Sequence, residues 1–240
     1  MACSGGPPTA PVLGIPVAIC SDVLAAAVDL QQRGGGQIVT LNAEMAMAAR
    51  ADAALGAAIH AAQLVIPDGA GVVWALGRQG HRVPRTPGIE LAHGLLAHAA
   101  AHGWRLALVG ASPQVSGLLV ERLRRQWPSL ELAFVAHGYQ DSQAWPDLEA
   151  RLLAARPDLV LAALGVPRQE TWIRRLRQGQ GGLWMGVGGS FDVWAGVKKR
   201  APALMGALHI EWLFRLLQEP QRWRRMLALP AFVRTVLREG

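Results

Sequence analysis

DLVLAALGVPRQE, residues 158–170, is a continuous apolar run that ends in a glycine and passes at once into a polar turn. A strand that is apolar at nearly every position, rather than at every second one, is expected where helices cover both faces of a parallel sheet. The same form recurs outward along the chain as QIVTL at 37–41, QLVIP at 63–67, RLALVG at 105–110, LELAFVA at 130–136 and LWMGVG at 183–188. PVLGIPVAI at 11–19 is a further candidate strand. Helical patterns lie between the runs: AEMAMAARADAALGAAIHAA at 43–62, SPQVSGLLVERLRRQW at 112–127 and SQAWPDLEARLLAA at 142–155. The alternation predicts an α/β fold, a Rossmann-like and mostly parallel sheet flanked by helices with right-handed crossovers. Residues 11–197 are assigned to this body, 1–10 to a disordered Gly/Pro-rich leader, and 198–240 to a basic helical appendage.

With 240 residues, 51% of them hydrophobic, and a mean hydropathy of +0.21, the chain can bury one substantial core. Cys3 and Cys20 have no metal-ligand spacing. The start, MACSGGPPTAP, has neither the basic nor the apolar region of a secretory signal, and no stretch approaches the roughly 20 apolar residues that span a bilayer. The protein is therefore expected to be made and kept in the cytoplasm.

Charge is concentrated at one end. Residues 198–240 hold nine Lys and Arg against three Glu, which places +6 of the chain's net +7 there. The same segment carries Trp212, Phe214, Trp223, Leu227, Leu229, Phe232, Val233, Val236 and Leu237, so it reads as amphipathic helices. Such a surface suits anionic lipid, a diphosphate or nucleic acid, and equally an ordinary helix pair docked on the core with solvated arginines.

In an open parallel sheet, ligands sit beyond the carboxyl ends of the strands. Polar residues gather there: Thr40-Leu41-Asn42, Pro67-Asp68-Gly69, Gly165 followed by Pro167-Arg168-Gln169-Glu170, and Gly188-Gly189-Ser190-Phe191-Asp192. Asp68, between Pro67 and Gly69 and just before the apolar pattern AGVVWALG, is open to two readings. It can cap the helix that follows, or it can be held in the crevice as a general base. Thr40 and Asn42 divide in the same way between turn chemistry and ligand recognition. Gly186, Gly188 and Gly189 make a turn that a phosphate or sugar can approach.

Absent motifs narrow the chemistry. There is no GxxxxGK[ST] loop, no complete GxGxxG and no Asp-x-Asp pair, and His60, His93 and His98 fall singly in helical patterns. No metal site is read, and a diphosphate here would have its charge met by arginines and helix N-termini.

Together these residues resemble a known family. Thr40-x-Asn42, Pro67-Asp68-Gly69-x-Gly71, Arg85-Thr86-Pro87-Gly88-Ile89-Glu90, His137-Gly138-Tyr139 and Gly165-x-Pro167-Arg168-Gln169-Glu170 occur in order, followed by Gly188-Gly189-Ser190-Phe191-Asp192, Arg200-Ala201-Pro202, Glu211-Trp212-x-x-Arg215 and Glu219-Pro220-x-Arg222. The series resembles the WecG/TagA/CpsF glycosyltransferases (glycosyltransferase family 26). Glu90 stands where that family usually has Asp, Arg168 where it has Lys, and Leu204 where Trp is frequent.

The resemblance implies an inverting, metal-independent transfer, without cofactor, from a UDP-sugar to a polyprenyl-diphosphate-linked sugar acceptor. Best-known members move N-acetylmannosamine to undecaprenyl-diphosphate N-acetylglucosamine for teichoic acid; others use the uronic acid or glucose, as in exopolysaccharide synthesis. It implies Asp68 as catalytic base, and Thr40, Asn42, Arg85, Gln169, Gly188 and Asp192 as substrate-binding. It further implies an appendage that closes over the site, meets the inner face of the membrane, and brings Arg215, Arg222 and Arg225 to the diphosphate. At about 100° per residue those three arginines share a stripe of roughly 80°, with Pro220 able to interrupt the helix between them.

A nucleic-acid-binding protein would explain the basic end but leave the crevice cluster, in a nearly neutral body, without purpose. A sugar-nucleotide sensor would keep the crevice without needing the appendage. A reductase would need the missing dinucleotide fingerprint. Apolar helix faces can meet either the core or a second subunit, so a homo-oligomer stays open.

Overall fold

Residues 11–19 do not form one strand. Leu13 and Gly14 both take positive φ (49° and 80°), and the chain turns back on itself there as a two-residue hairpin turn requires. The result is an antiparallel ribbon, β1 (Thr9–Val12) and β2 (Ile15–Ala18), separate from the main sheet. Ala10, Val12, Ile15 and Val17 are all at most 4% exposed and join the core. Order thus begins inside the stretch expected to be a disordered leader, because Thr9 and Ala10 pair with Ala18 and Val17. The computed structural model describes residues 6–199, 202, 205, 214 and 223–239.

The main sheet has six strands, β3 (Gly36–Leu41), β4 (Leu64–Pro67), β5 (Arg105–Gly110), β6 (Glu131–Ala136), β7 (Leu159–Ala163) and β8 (Leu183–Gly186). They lie in the order β4-β3-β8-β7-β5-β6, and every neighbouring pair is parallel. The continuous apolar runs resolve into two faces. Ile38, Ile66, Leu108, Leu161 and Met185 point to one, packing with α1 (Val23–Gln32), α5 (Gly88–His102), α6 (Pro113–Gln126) and α9 (Ser190–Trp194).

On the other face Val39 and Val65 meet α2 (Ala43–Ala51), α3 (Ala53–His60) and α4 (Ala70–Arg78). Val109, Val160 and Trp184 on that face meet α7 (Trp145–Ala154) and α8 (Arg168–Leu176). The one helix read over 43–62 is two. Asp52 takes an extended conformation, and its Oδ1 accepts from Ala54 N (2.9 Å) and Leu55 N (3.1 Å), starting a new helix in mid-pattern.

At the C-terminal end α10 (Trp223–Met226) leads into α11 (Ala228–Glu239). This last helix belongs to the body's own packing. Phe232 (0% exposed) and Val236 (7%) enter the same apolar cluster as α2 and α4, and Arg50 forks onto the Glu239 carboxylate at 2.8 and 2.9 Å. Phe232 is therefore core, contrary to a place on a lipid-facing surface; its ring lies against Gly71, the second residue of α4. Arg215 and Arg222 lie outside the described residues, and of Arg225 only the helical backbone is described.

Phe232→Ala should cost roughly 3–5 kcal/mol by emptying a buried site, while Val233→Ala, on the exposed side of the same helix, should cost under about 0.5 kcal/mol. Chemical denaturation checks this. Equal small losses for both would mean that α11 is not docked on the body.

Candidate active site

The carboxyl ends of the strands open into a crevice of about 1220 Å³. Strand order explains its polarity, since β4, β3, β8 and β7 are consecutive neighbours and their polar ends stand side by side. Thr40, Asn42, Asp68, Gln169, Gly188 and Asp192 all line it. Sequence reading had left out the ends of β5 and β6, which add Ala111, Ser112, Gly138 and the highly exposed Tyr139. The His137-Gly138-Tyr139 run was the available signal. Phe214 and Ala228, from the C-terminal segment, complete the wall.

Asp68 does not cap the helix that follows it. The N-cap of α4 is Gly69, with no side-chain cap, while Asp68 Oδ1 accepts from the N–H of Gly88, the first residue of α5, at 3.3 Å. Its backbone N–H donates to Leu41 O (3.0 Å), tying the end of β4 to that of β3. The carboxylate therefore faces the positive end of a 15-residue helix, where an anion is favoured. Gly88 is needed there for space: a Cβ at that position would sit 2.9 Å from Thr40 Cγ2. Thr40, Asp68 and the start of α5 are thus forced together at one point.

Asn42 does both things open to it. Its Oδ1 caps α2 through Met45 N (2.8 Å), and it still lines the crevice. Arg85 is half-buried beside the end of β4, in a loop whose Thr86 N–H donates to Pro67 O (3.1 Å), but it does not line the crevice. Glu90 is exposed in the first turn of α5.

Gln169 is a strut more than a contact. It is 2% exposed, and its Oε1 accepts from Gly165 N (3.1 Å) after β7 and Gly188 N (3.2 Å) after β8. Its Nε2 donates to Glu170 Oε1 at 3.1 Å. Glu170 in turn is 1% exposed, and burial pushes its carboxyl above the usual carboxylate range.

Among the described residues the cations that line the crevice are Arg168, Lys198 and Lys199. The Arg168 guanidinium lies 4.7 Å over the Trp145 ring, and Lys198 Nζ is 4.0 Å from Asp192 Oδ2. Asp192 also anchors the following turn, its carbonyl accepting from Val197 N (2.9 Å) and Lys198 N (3.0 Å). No group of three or more His, Cys, Asp or Glu able to hold a metal ion occurs among the described residues. The arrangement offers a carboxylate, Asp68, fixed by the start of α5, a crevice lined by polar strand ends, and cations among its lining. That set can deprotonate a hydroxyl and receive an anionic leaving group.

Residues 10–240 match the Glycosyl transferase WecG/TagA/CpsF family. The chain is 37% identical over 211 residues to the N-acetylglucosaminyldiphosphoundecaprenol N-acetyl-beta-D-mannosaminyltransferase of Bacillus spizizenii, covering 87% of this chain and 81% of that protein. To the protein of the same name from Bacillus subtilis it is 36% identical over 213 residues, 88% of this chain and 82% of that one.

Proposed function

We propose that this chain, which belongs to the WecG/TagA/CpsF family and is a glycosyltransferase, moves N-acetylmannosamine from a UDP-sugar to N-acetylglucosamine carried on undecaprenyl diphosphate. The observation that carries the reading is Asp68, which lines a crevice of about 1220 Å³ and faces the positive end of α5. In this reaction Asp68 takes the proton of the acceptor hydroxyl. The freed oxygen forms its bond to the anomeric carbon as the bond from that carbon to the UDP oxygen breaks on the opposite face. The anomeric configuration inverts, and UDP departs with the bonding electrons.

The leaving diphosphate needs positive charge as the bond breaks. Lys198, Lys199 and Arg168 line the crevice for that purpose, and Arg215, Arg222 and Arg225 of the C-terminal segment are assigned to the same anion. Thr40 and Asn42, at the point where β3 meets Asp68, are assigned to the sugars, together with Asp192 and the Gly188 turn that follows the neighbouring strand β8.

A lipid-linked acceptor requires work at a membrane surface. No helix among the described residues is long and apolar enough to cross a membrane. Instead α11 has two dissimilar sides. Phe232 and Val236 face the core, while Val233 and Leu237, one turn apart, are exposed beside Arg234 and Arg238. Apolar and cationic side chains on one exposed face suit the anionic inner face of a membrane.

Asp68→Asn preserves size while removing the base, and should lower kcat by roughly 10²–10⁴-fold in a folded protein. A folded Asp68→Asn enzyme with normal turnover of UDP-N-acetylmannosamine would rule the role out. A panel of UDP-sugars with a short-chain lipid-diphosphate acceptor, its products identified by mass, tests the donor. Transfer should also survive EDTA. Activity lost on chelation and restored by magnesium or manganese would show that a metal, and not these cations, neutralises the diphosphate. Replacing Val233, Arg234 and Leu237 together should weaken binding to anionic liposomes on the order of tenfold or more. Turnover of a soluble acceptor should be unchanged, and unaltered liposome binding would remove α11 from the membrane contact.

A further inference from the structure

We propose that Glu170 is a positioning residue for the transfer reaction: its buried carboxylate fixes the orientation of the Gln169 amide, and through it holds together the two glycine turns that form one wall of the crevice. The role depends on the reading of the crevice as the transfer site, and it concerns a side chain that does not itself face the crevice.

The Gln169 amide is held from both ends. Both Glu170 oxygens accept: Oε1 from Gln169 Nε2 (3.1 Å) and Oε2 from Gln37 Nε2 (2.9 Å). An acceptor at that end obliges Gln169 to present its NH2 to Glu170 and its oxygen to the other side. There the oxygen receives the N–H groups of both Gly165 and Gly188. Turned by 180°, the Gln169 amide would set NH2 against two backbone donors and oxygen against a carboxyl group. Glu170 and the two glycine N–H groups thus require the same orientation, and Glu170 holds the NH2 end of the amide whose oxygen joins the two turns.

Those two points need holding. Gly165 and Gly188 both have positive φ (78° and 50°), in a residue type that reaches other conformations at little cost. Backbone pairing between these strand ends stops at Val187 N–H to Ala162 O (2.8 Å), and beyond it Gln169 is the link between Gly165 and Gly188 among the described residues. Space is matched as closely as polarity. A Cβ on Gly186, the last residue of β8, would run into both Gln169 Nε2 and Glu170 Oε1.

The network is also poorly suited to stability alone. Among the described residues Glu170 has amide partners and no cation, and Gln37 Oε1 is buried without a hydrogen bond. Apolar side chains would fill the same volume at lower desolvation cost. What they could not do is orient Gln169.

The test uses the full-length protein as Glu170→Leu, Glu170→Gln, Gln169→Ala and the Gln169→Ala/Glu170→Leu double variant. Leucine removes the acceptor at similar volume. Glutamine keeps one oxygen for Gln169 and offers NH2 to Gln37, whose amide can turn to accept it. Glu170→Leu should lower kcat on the order of tenfold, with KM for donor and acceptor within about twofold, since displaced crevice walls act on alignment. Glu170→Gln should stay within about threefold of wild type. In the Gln169→Ala background, Glu170→Leu should change kcat by less than about twofold, because its only route to the reaction is gone.

Hydrogen exchange supplies a readout independent of turnover. The Gly165 and Gly188 amides should exchange on the order of tenfold faster in Glu170→Leu, with the amides of β5 unchanged. If Glu170→Leu does not fold, Gly186→Ala replaces it, with the same expected loss of kcat and the same silence in Gln169→Ala. A folded Glu170→Leu enzyme with wild-type kcat and exchange, or a double variant whose loss is the product of the two single losses, overturns the proposal. Absence of any transfer by the wild type would instead bring down the functional reading, while exchange at Gly165 and Gly188 would still decide whether Glu170 holds the turns.

Discussion

Parallel strands can be joined only by crossovers that return the chain to the same edge, so each of the six strands must leave the sheet on one common rim. Everything at the candidate site depends on that constraint. It brings the ends of β3, β4, β7 and β8 together although Leu41, at the end of β3, and Ala163, at the end of β7, are more than a hundred residues apart in sequence. It also points the start of α5 back toward the rim, where its first N–H meets Asp68. A fixed carboxylate is a by-product of topology here: the helix that stabilises the charge belongs to the crossover leading from β4 to β5.

How much of this the sequence disclosed follows from the range of the forces involved. Strands buried on both faces must be apolar throughout, so β3, β5 and β7 are visible as runs, and the polar residues closing each run mark the rim. Breaks depend on single residues and are harder to see. Leu13 gives no hint of positive φ, and Asp52 interrupts a strong helical pattern only because its carboxylate captures two backbone N–H groups. Asp68 shows the limit most clearly. Local sequence suggests a cap for α4, and only the packing of α5 against Thr40 shows which helix start its carboxylate serves. Gln169 was legible as a polar residue of the rim but not as a strut, since both glycines that it joins are brought together by the pairing of β7 with β8.

The C-terminal helix separates two properties that composition merges. Its apolar residues suggested one continuous lipid-facing surface, yet Phe232 and Val236 are consumed by the core formed with α2 and α4. An amphipathic helix with one apolar face can do one of two jobs, packing or surface binding. In α11 a second apolar pair, Val233 and Leu237, remains exposed after the first is buried, and it is flanked by arginines rather than by acids. Ala228 of the same helix lines the crevice, so the exposed face of α11 and the crevice wall are joined in one helix.

Two kinds of rigidity therefore meet across the crevice. On the Asp68 side, geometry is fixed sterically, by a glycine that admits Thr40 and by backbone bonds between the strand ends. On the opposite side, glycines at Gly165 and Gly188 relax the backbone, and a buried amide restores order by hydrogen bonding. The difference has a physical logic. The base of the proposed reaction must hold one place relative to one hydroxyl, which favours a wall that cannot move. A wall that is proposed to receive a sugar and a departing diphosphate must admit them first. Turns of glycine give it backbone N–H groups within reach of bulky ligands, and a strut behind them keeps that openness from becoming disorder.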